Sequence, residues 1–134
     1  MKASGMDRMR RVLSAMKMTE MARLGAQMRR VNAARQEAVD LRVAARGLTP
    51  VETVHDMALL DRWQRSLEQR ARAAEARAEL ELAEAVPMTA RLAETLGRED
   101  VTSRLIDQAK RLDMRTRDAR AEDERVRPAH ENQT

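Results

Sequence analysis

There is no cysteine, phenylalanine or tyrosine in this chain, and its one aromatic residue is Trp63. Without cysteine there can be no disulfide, no thiolate metal site and no cysteine nucleophile, which fits a reducing, cytoplasmic compartment. Without bulky aromatics there is too little side-chain volume for a broad globular core. Glycine occurs only four times and proline three times, so the chain has few breakers to punctuate strands or loops. No stretch approaches the ~20 consecutive apolar residues of a membrane span. The start, MKASGMDRMRRVLSAMKMTEM, also lacks the apolar run of a signal peptide. It has the basic amphipathic character of a mitochondrial presequence, but Asp7 and Glu20 interrupt that pattern.

What the sequence does contain is alanine, arginine, glutamate, leucine and methionine, all strong helix formers. They are arranged with apolar residues at spacings of three and four. This predicts an all-α chain of long helices packed along narrow seams, with no sheet. On the first arm the seam runs Met6, Met9, Leu13, Met16, then Met21, Leu24, Met28, Val31, Ala34, Ala38, Leu41, Ala45 and Leu48, with one slip near Glu20. Ser4 and Asp7 form a weak capping pair ahead of it, giving a helix over about 5–46.

The segment Gly47-Leu48-Thr49-Pro50-Val51-Glu52 reads as a corner. Gly47 can take the left-handed conformation that ends a helix, Thr49 can cap the next helix, Pro50 suits its first position, and Glu52 completes a capping box. A second helix then runs over about 50–126 through Met57, Leu60, Trp63, Leu67, Ala71, Ala74 and Ala78. Its later members are Leu105, Ala109, Leu112, Thr116, Ala119, Asp123 and Val126. Pro87 either kinks or ends this helix, because it lacks a backbone donor and clashes with the carbonyl of Ala83. The predicted architecture is a long antiparallel two-helix hairpin over residues 1–127, with 128–134 as a disordered tail. The alternative is a three-helix bundle in which Gly97 ends the second helix and Asp100 caps a third. Five acid-before-base pairs favour the hairpin: Asp61/Arg65, Glu68/Arg72, Glu94/Arg98, Asp107/Arg111 and Asp113/Arg117.

Charge is distributed unevenly. Residues 1–46 hold eleven Lys/Arg against four Asp/Glu, residues 47–86 five against eight, and residues 87–134 ten against ten. A basic first arm beside an acidic stretch suits a helix pair held partly by charge.

Signs of catalysis are missing from the pattern. There is no glycine-rich phosphate loop, no glycine-flanked nucleophilic serine and no histidine pair at metal-binding spacing. A thin hairpin also offers no enclosed pocket, so the expectation is a protein that is not an enzyme and holds no cofactor or metal. His55 reads as a half-exposed residue near the corner. Arg8, Arg10, Arg11, Arg29, Arg30 and Arg35 give the first arm a basic surface suited to tracking phosphates or docking on an anionic membrane, without aromatic platforms for bases. Met9, Met16, Met21 and Met28 read as seam filler, whereas Met18 falls off the seam and is the candidate for an outside contact. Trp63 reads as core; turned outward it would be an interface anchor.

A hairpin of this length, with a basic first arm, a short corner and a longer charged second arm, resembles the FliJ family. The likeness is clearest from Leu67-Glu68-Gln69-Arg70-Ala71-Arg72-Ala73-Ala74-Glu75-Ala76-Arg77 to Ala83-Glu84-Ala85. That family supplies the central stalk of the flagellar type III export ATPase. The resemblance implies a noncatalytic cytoplasmic adaptor, peripheral at the inner membrane, whose paired ends enter the pore of a hexameric ATPase while the region nearer the corner contacts the export gate. On this sequence the insertion end would include Arg8, Arg10, Arg11, Leu13 and Met16 with Leu112, Arg115 and Arg117. The gate-facing region would lie near Gln36, Val39, His55 and Trp63. The rival expectations are a scaffold that self-associates through residues 100–126, and a basic arm that binds nucleic acid or lipid.

Overall fold

The computed structural model describes residues 3–131. Among these there are two α-helices and no strand: α1, Ala3–Arg46, and α2, Val54–Glu131. A short turn joins them into a helical hairpin. Within residues 19–92 the cross-helix contacts run from Ala45 and Gln64 to Gln27 and Glu81, and among the chain ends from Lys17 and Glu99 to Met9 and Thr102, so in each of these regions the two helices are antiparallel.

The turn is built differently from the sequence expectation. Gly47 does not adopt a positive φ; its amide donates to the carbonyl of Val43 at 3.0 Å and simply completes the last turn of α1. Helix α2 starts at Val54, later than the predicted Pro50, because Thr53 rather than Thr49 is the cap. The Thr53 hydroxyl accepts from the Asp56 amide at 3.1 Å, and the Thr53 carbonyl accepts from the Met57 amide at 2.9 Å. Asp56 also places a negative charge in the first turn, where the helix dipole favours it. Helix α1 already begins at Ala3, so Ser4 is inside the helix. Asp7 is 3.6 Å from Arg10 in an ion pair.

Helix α2 passes through both Pro87 and Gly97 without a break, which excludes the three-helix alternative. Pro87 and Ala83 are both exposed, so the carbonyl that loses its donor lies on a face where water can replace it. A methyl group built on Gly97 would meet nothing within 4 Å, so this glycine is not demanded by a close contact. The helix continues to Glu131, past the predicted end near 126; residues 132–134 of the expected tail lie outside the described residues.

The hairpin divides into two compact units, residues 19–92 and the two chain ends, 1–18 with 93–134. In the first, the seam is Val31, Ala34 and Ala38 of α1 with Leu67, Ala71, Ala74, Ala78 and Ala85 of α2, all buried. In the second it is Met6 and Leu13 with Thr95, Thr102 and Ile106. Along α1 the covered positions recur every seven residues without a slip: Met6, Leu13, Glu20, Gln27, Ala34 and Leu41, with Lys17, Leu24, Val31, Ala38 and Ala45 between them. The slip expected near Glu20 is therefore a run of polar residues occupying seam positions. Met9, Met16 and Met21, expected inside, are 43%, 40% and 51% exposed. On α2 the seam passes through Ile106, and Leu105 and Leu112 face outward.

Candidate partner-binding surface

Polar groups in the seam fix how the helices meet. Gln27, only 3% exposed, donates its side-chain amide to the Glu81 carbonyl at 2.7 Å, and also reaches the carboxylates of Glu81 and Glu84. Arg42 bridges Glu75 and Glu68, and Arg77 reaches Glu37 at 2.8 Å. The hydrogen bond from Arg42 holds the Glu75 carboxyl below the usual carboxylate range, and the same bond raises the Arg42 guanidinium. In the unit formed by the chain ends, Lys17 donates to Glu99 at 2.9 Å. The second oxygen of Glu99, Oε2, is buried without a hydrogen bond. These contacts serve architecture: a wrong axial alignment would strand buried polar atoms.

The residues expected to bind partners fall into both units. In the unit of the chain ends, Arg8, Arg11, Met16 and Met18 are exposed, and Arg10 is exposed beside Asp7. Leu13 is the exception at 7% exposure, because it occupies a repeating seam position; it is a floor residue and not a contact offered to solvent. Leu112, Arg115 and Arg117 are exposed on a stretch of α2 that has no covering helix. The last half-covered residue is Ala109, and every residue from Lys110 to Val126 is exposed. In the other unit Gln36 is exposed and donates to Asp40 at 2.9 Å, while Val39 and His55 are also exposed. Trp63, read from sequence as core, is 55% exposed and borders a shallow apolar depression with Val51, Leu59 and Leu60. Its seven-residue phase explains this: Leu60 and Leu67 lie in the seam, and Trp63 falls between Leu60 and the seam position at Gln64.

Sequence reasoning missed the surface that the two helices build together. Met9 and Leu13 of α1 with Gly97, Val101, Thr102 and Leu105 of α2 line an open, mainly apolar groove. Glu94 and Arg98, an ion pair at 2.6 Å, stand at its edge. Val101 and Leu105 were findable: they sit one position before the seam residues Thr102 and Ile106, so an outward stripe follows once the seam is phased correctly. Apolar counting instead assigned Leu105 to the seam and passed over Thr102.

Among the described residues no group of three or more His, Cys, Asp or Glu side chains converges to hold a metal ion. No helix among them is long and apolar enough to cross a membrane. No known protein family, curated protein or solved structure matches the chain.

Proposed function

We propose that this chain is a noncatalytic coiled-coil adaptor acting in the manner of the central stalk of the flagellar type III protein export ATPase, coupling that ATPase to the export gate. The observation that carries the reading is where apolar side chains are left uncovered. Most collect in two places. One is the unit of the chain ends, with Met9, Val12, Met16, Met18, Val101, Leu105, Leu112 and Met114. The other is the neighbourhood of the turn, with Val54, Met57, Leu59 and Trp63. Uncovered apolar surface of this extent marks interaction sites, and two such places fit a connector with two protein partners. Around the first place Arg8, Arg11, Arg115 and Arg117 form no ion pair within the described chain, leaving positive charge for an acidic counterpart.

The test is binding of the purified full chain to a purified hexameric export ATPase, read by co-sedimentation and by ATP hydrolysis. Charge reversal at Arg10 and Arg11 together is expected to weaken binding at least about tenfold, or about 1.4 kcal/mol. Trp63→Ala is expected to leave ATPase binding intact and to weaken capture by the cytoplasmic part of the gate. A parent chain that neither binds nor stimulates the ATPase sinks the reading.

A further inference from the structure

The helix pairing is not equally secure along the chain. Among the described residues of 19–92, eight apolar residues are buried against one polar, Gln27, whose amide is satisfied by the Glu81 carbonyl at 2.7 Å. Among the chain ends three apolar residues, Met6, Leu13 and Ile106, are buried against two polar ones, Thr95 and Thr102. Thr102 turns its hydroxyl to the Met9 sulfur at 4.0 Å, a weak acceptor that water would better. Burying a polar group on such terms forfeits part of what an apolar seam would supply.

The helices themselves are weaker there. Gly5 lies inside α1 and Gly97 inside α2, and glycine costs a helix more backbone entropy than any other residue. Every residue from Lys110 to Val126 is exposed, so nothing beyond Ala109 adds to the pairing. Chain connectivity makes the difference one-sided. Ala45 and Gln64 are 19 residues apart, whereas Met9 and Thr102 are 93 apart. Parting the chain ends leaves the short loop closed, but parting residues 19–92 with the ends still paired would leave a long closed loop at an entropic cost.

We infer that the chain ends are a separately opening element: α1 over residues 3–18 and α2 over residues 93–109 part and re-pair while residues 19–92 stay closed. Such an opening gives up only the burial of Met6, Leu13 and Ile106 and the Lys17–Glu99 bond, a small share of what holds the two helices. A released segment as short as α1 3–18 holds its helix poorly in water, so its amides open with its side chains. In the open form Met6, Leu13 and Ile106 join Met9 and Leu105 as accessible side chains, and the groove of the closed form is the narrower of two surfaces that the chain ends present. This opening belongs to the free chain and does not rest on the adaptor reading.

Met6 is the natural reporter. It is buried in the closed form, so hydrogen peroxide reaches its sulfur when the chain ends part, giving the sulfoxide and water; exposed Met16 and Met18 are references in the same sample. The full chain is treated with dilute peroxide and the initial rate at each methionine is read by mass spectrometry, beside deuterium uptake by the slowest-exchanging amides of residues 31–38. Gly97→Ala should slow Met6 oxidation about three- to fivefold, the worth of one helical glycine. Gly25→Ala should slow deuterium uptake over 31–38 by a similar factor and leave Met6 oxidation unchanged. Neither substitution threatens the fold: the methyl on Gly97 meets nothing within 4 Å, and that on Gly25 makes ordinary contact with the Arg29 guanidinium at 3.6 Å. Gly25→Ala slowing Met6 as much as it slows the amides means that the hairpin opens as one, and overturns the proposal. So does a Gly97→Ala chain whose Met6 oxidises at the parent rate. No ATPase enters the experiment, so its failure is distinct from failure of the stalk reading.

Discussion

The two units solve the same packing problem with different material. In residues 19–92 the seam is Val31, Ala34 and Ala38 against Leu67, Ala71, Ala74 and Ala78, small and almost wholly buried, bordered by the ion pairs of Arg42 and Arg77. In the unit of the chain ends, buried Met6, Leu13 and Ile106 share the seam with Thr95, Thr102 and the Lys17–Glu99 pair. Alanine leaves no gap to fill and lets helices approach toward the short end of the ~8–10 Å range, but it contributes little apolar area per residue. The other unit concentrates its apolar burial in a few large side chains and gives the remaining positions to polar contacts. The first arrangement depends on its alanine positions staying small; the second depends on single large residues.

That contrast can be broken most severely at Ile106, which is fully buried. Ile106→Ala removes most of a large side chain from a seam with few others, and is expected to cost about 2–5 kcal/mol in urea unfolding. The opposite change tests the alanine seam. Ala71→Leu overfills a position with no exposed surface and should cost about 1–3 kcal/mol, while Ala76→Leu on the exposed face of the same helix should be near neutral. Smaller again is Lys17→Met, which leaves Glu99 with a buried, unbonded oxygen and no cation; a loss of about 1–2 kcal/mol is expected, recovered in part by adding Glu99→Gln.

The smallest effect is titration of the ion pairs in the alanine-rich unit. The folded-state pKa of Glu75 is depressed by its bond from Arg42, so its contribution is fully present above the ordinary glutamate pKa and is lost as pH falls through the folded value. The difference in thermal midpoint between the parent and Glu75→Gln is therefore expected to persist at neutral pH and to close on acidification below the usual carboxylate range. A gap that stays constant into acid would mean the pair adds nothing to folding.

The hairpin itself was legible because the signals for it are redundant: helix formers everywhere, seven-residue spacing, one cluster of breakers. Its exact phase was not, for a reason visible in particular residues. Counting only apolar side chains hides Glu20, Gln27, Glu81, Thr95, Glu99 and Thr102, which hold seam positions by hydrogen bonds or partial burial, and it admits Met9 and Met16, which do not. The same reckoning misplaces Trp63. The cap moves from Thr49 to Thr53 because Thr53 with Asp56 offers the same chemistry as Thr49 with Glu52, and local sequence does not rank the two. Of the candidate site, the exposed arginines and Met18 were readable as surface. The groove was not, since it is made by residues about ninety positions apart, such as Met9 and Thr102.

That separation also sets an order of events. Near the turn, Gln64 contacts Ala45 across a gap of 19 residues, whereas Thr102 meets Met9 across 93. Closing the shorter loop costs less chain entropy. Loop-closure entropy therefore favours forming the pairing beside the turn ahead of the groove. During synthesis the first arm emerges before the residues that cover Met6 and Leu13 exist, so for that interval these two seam side chains stand exposed.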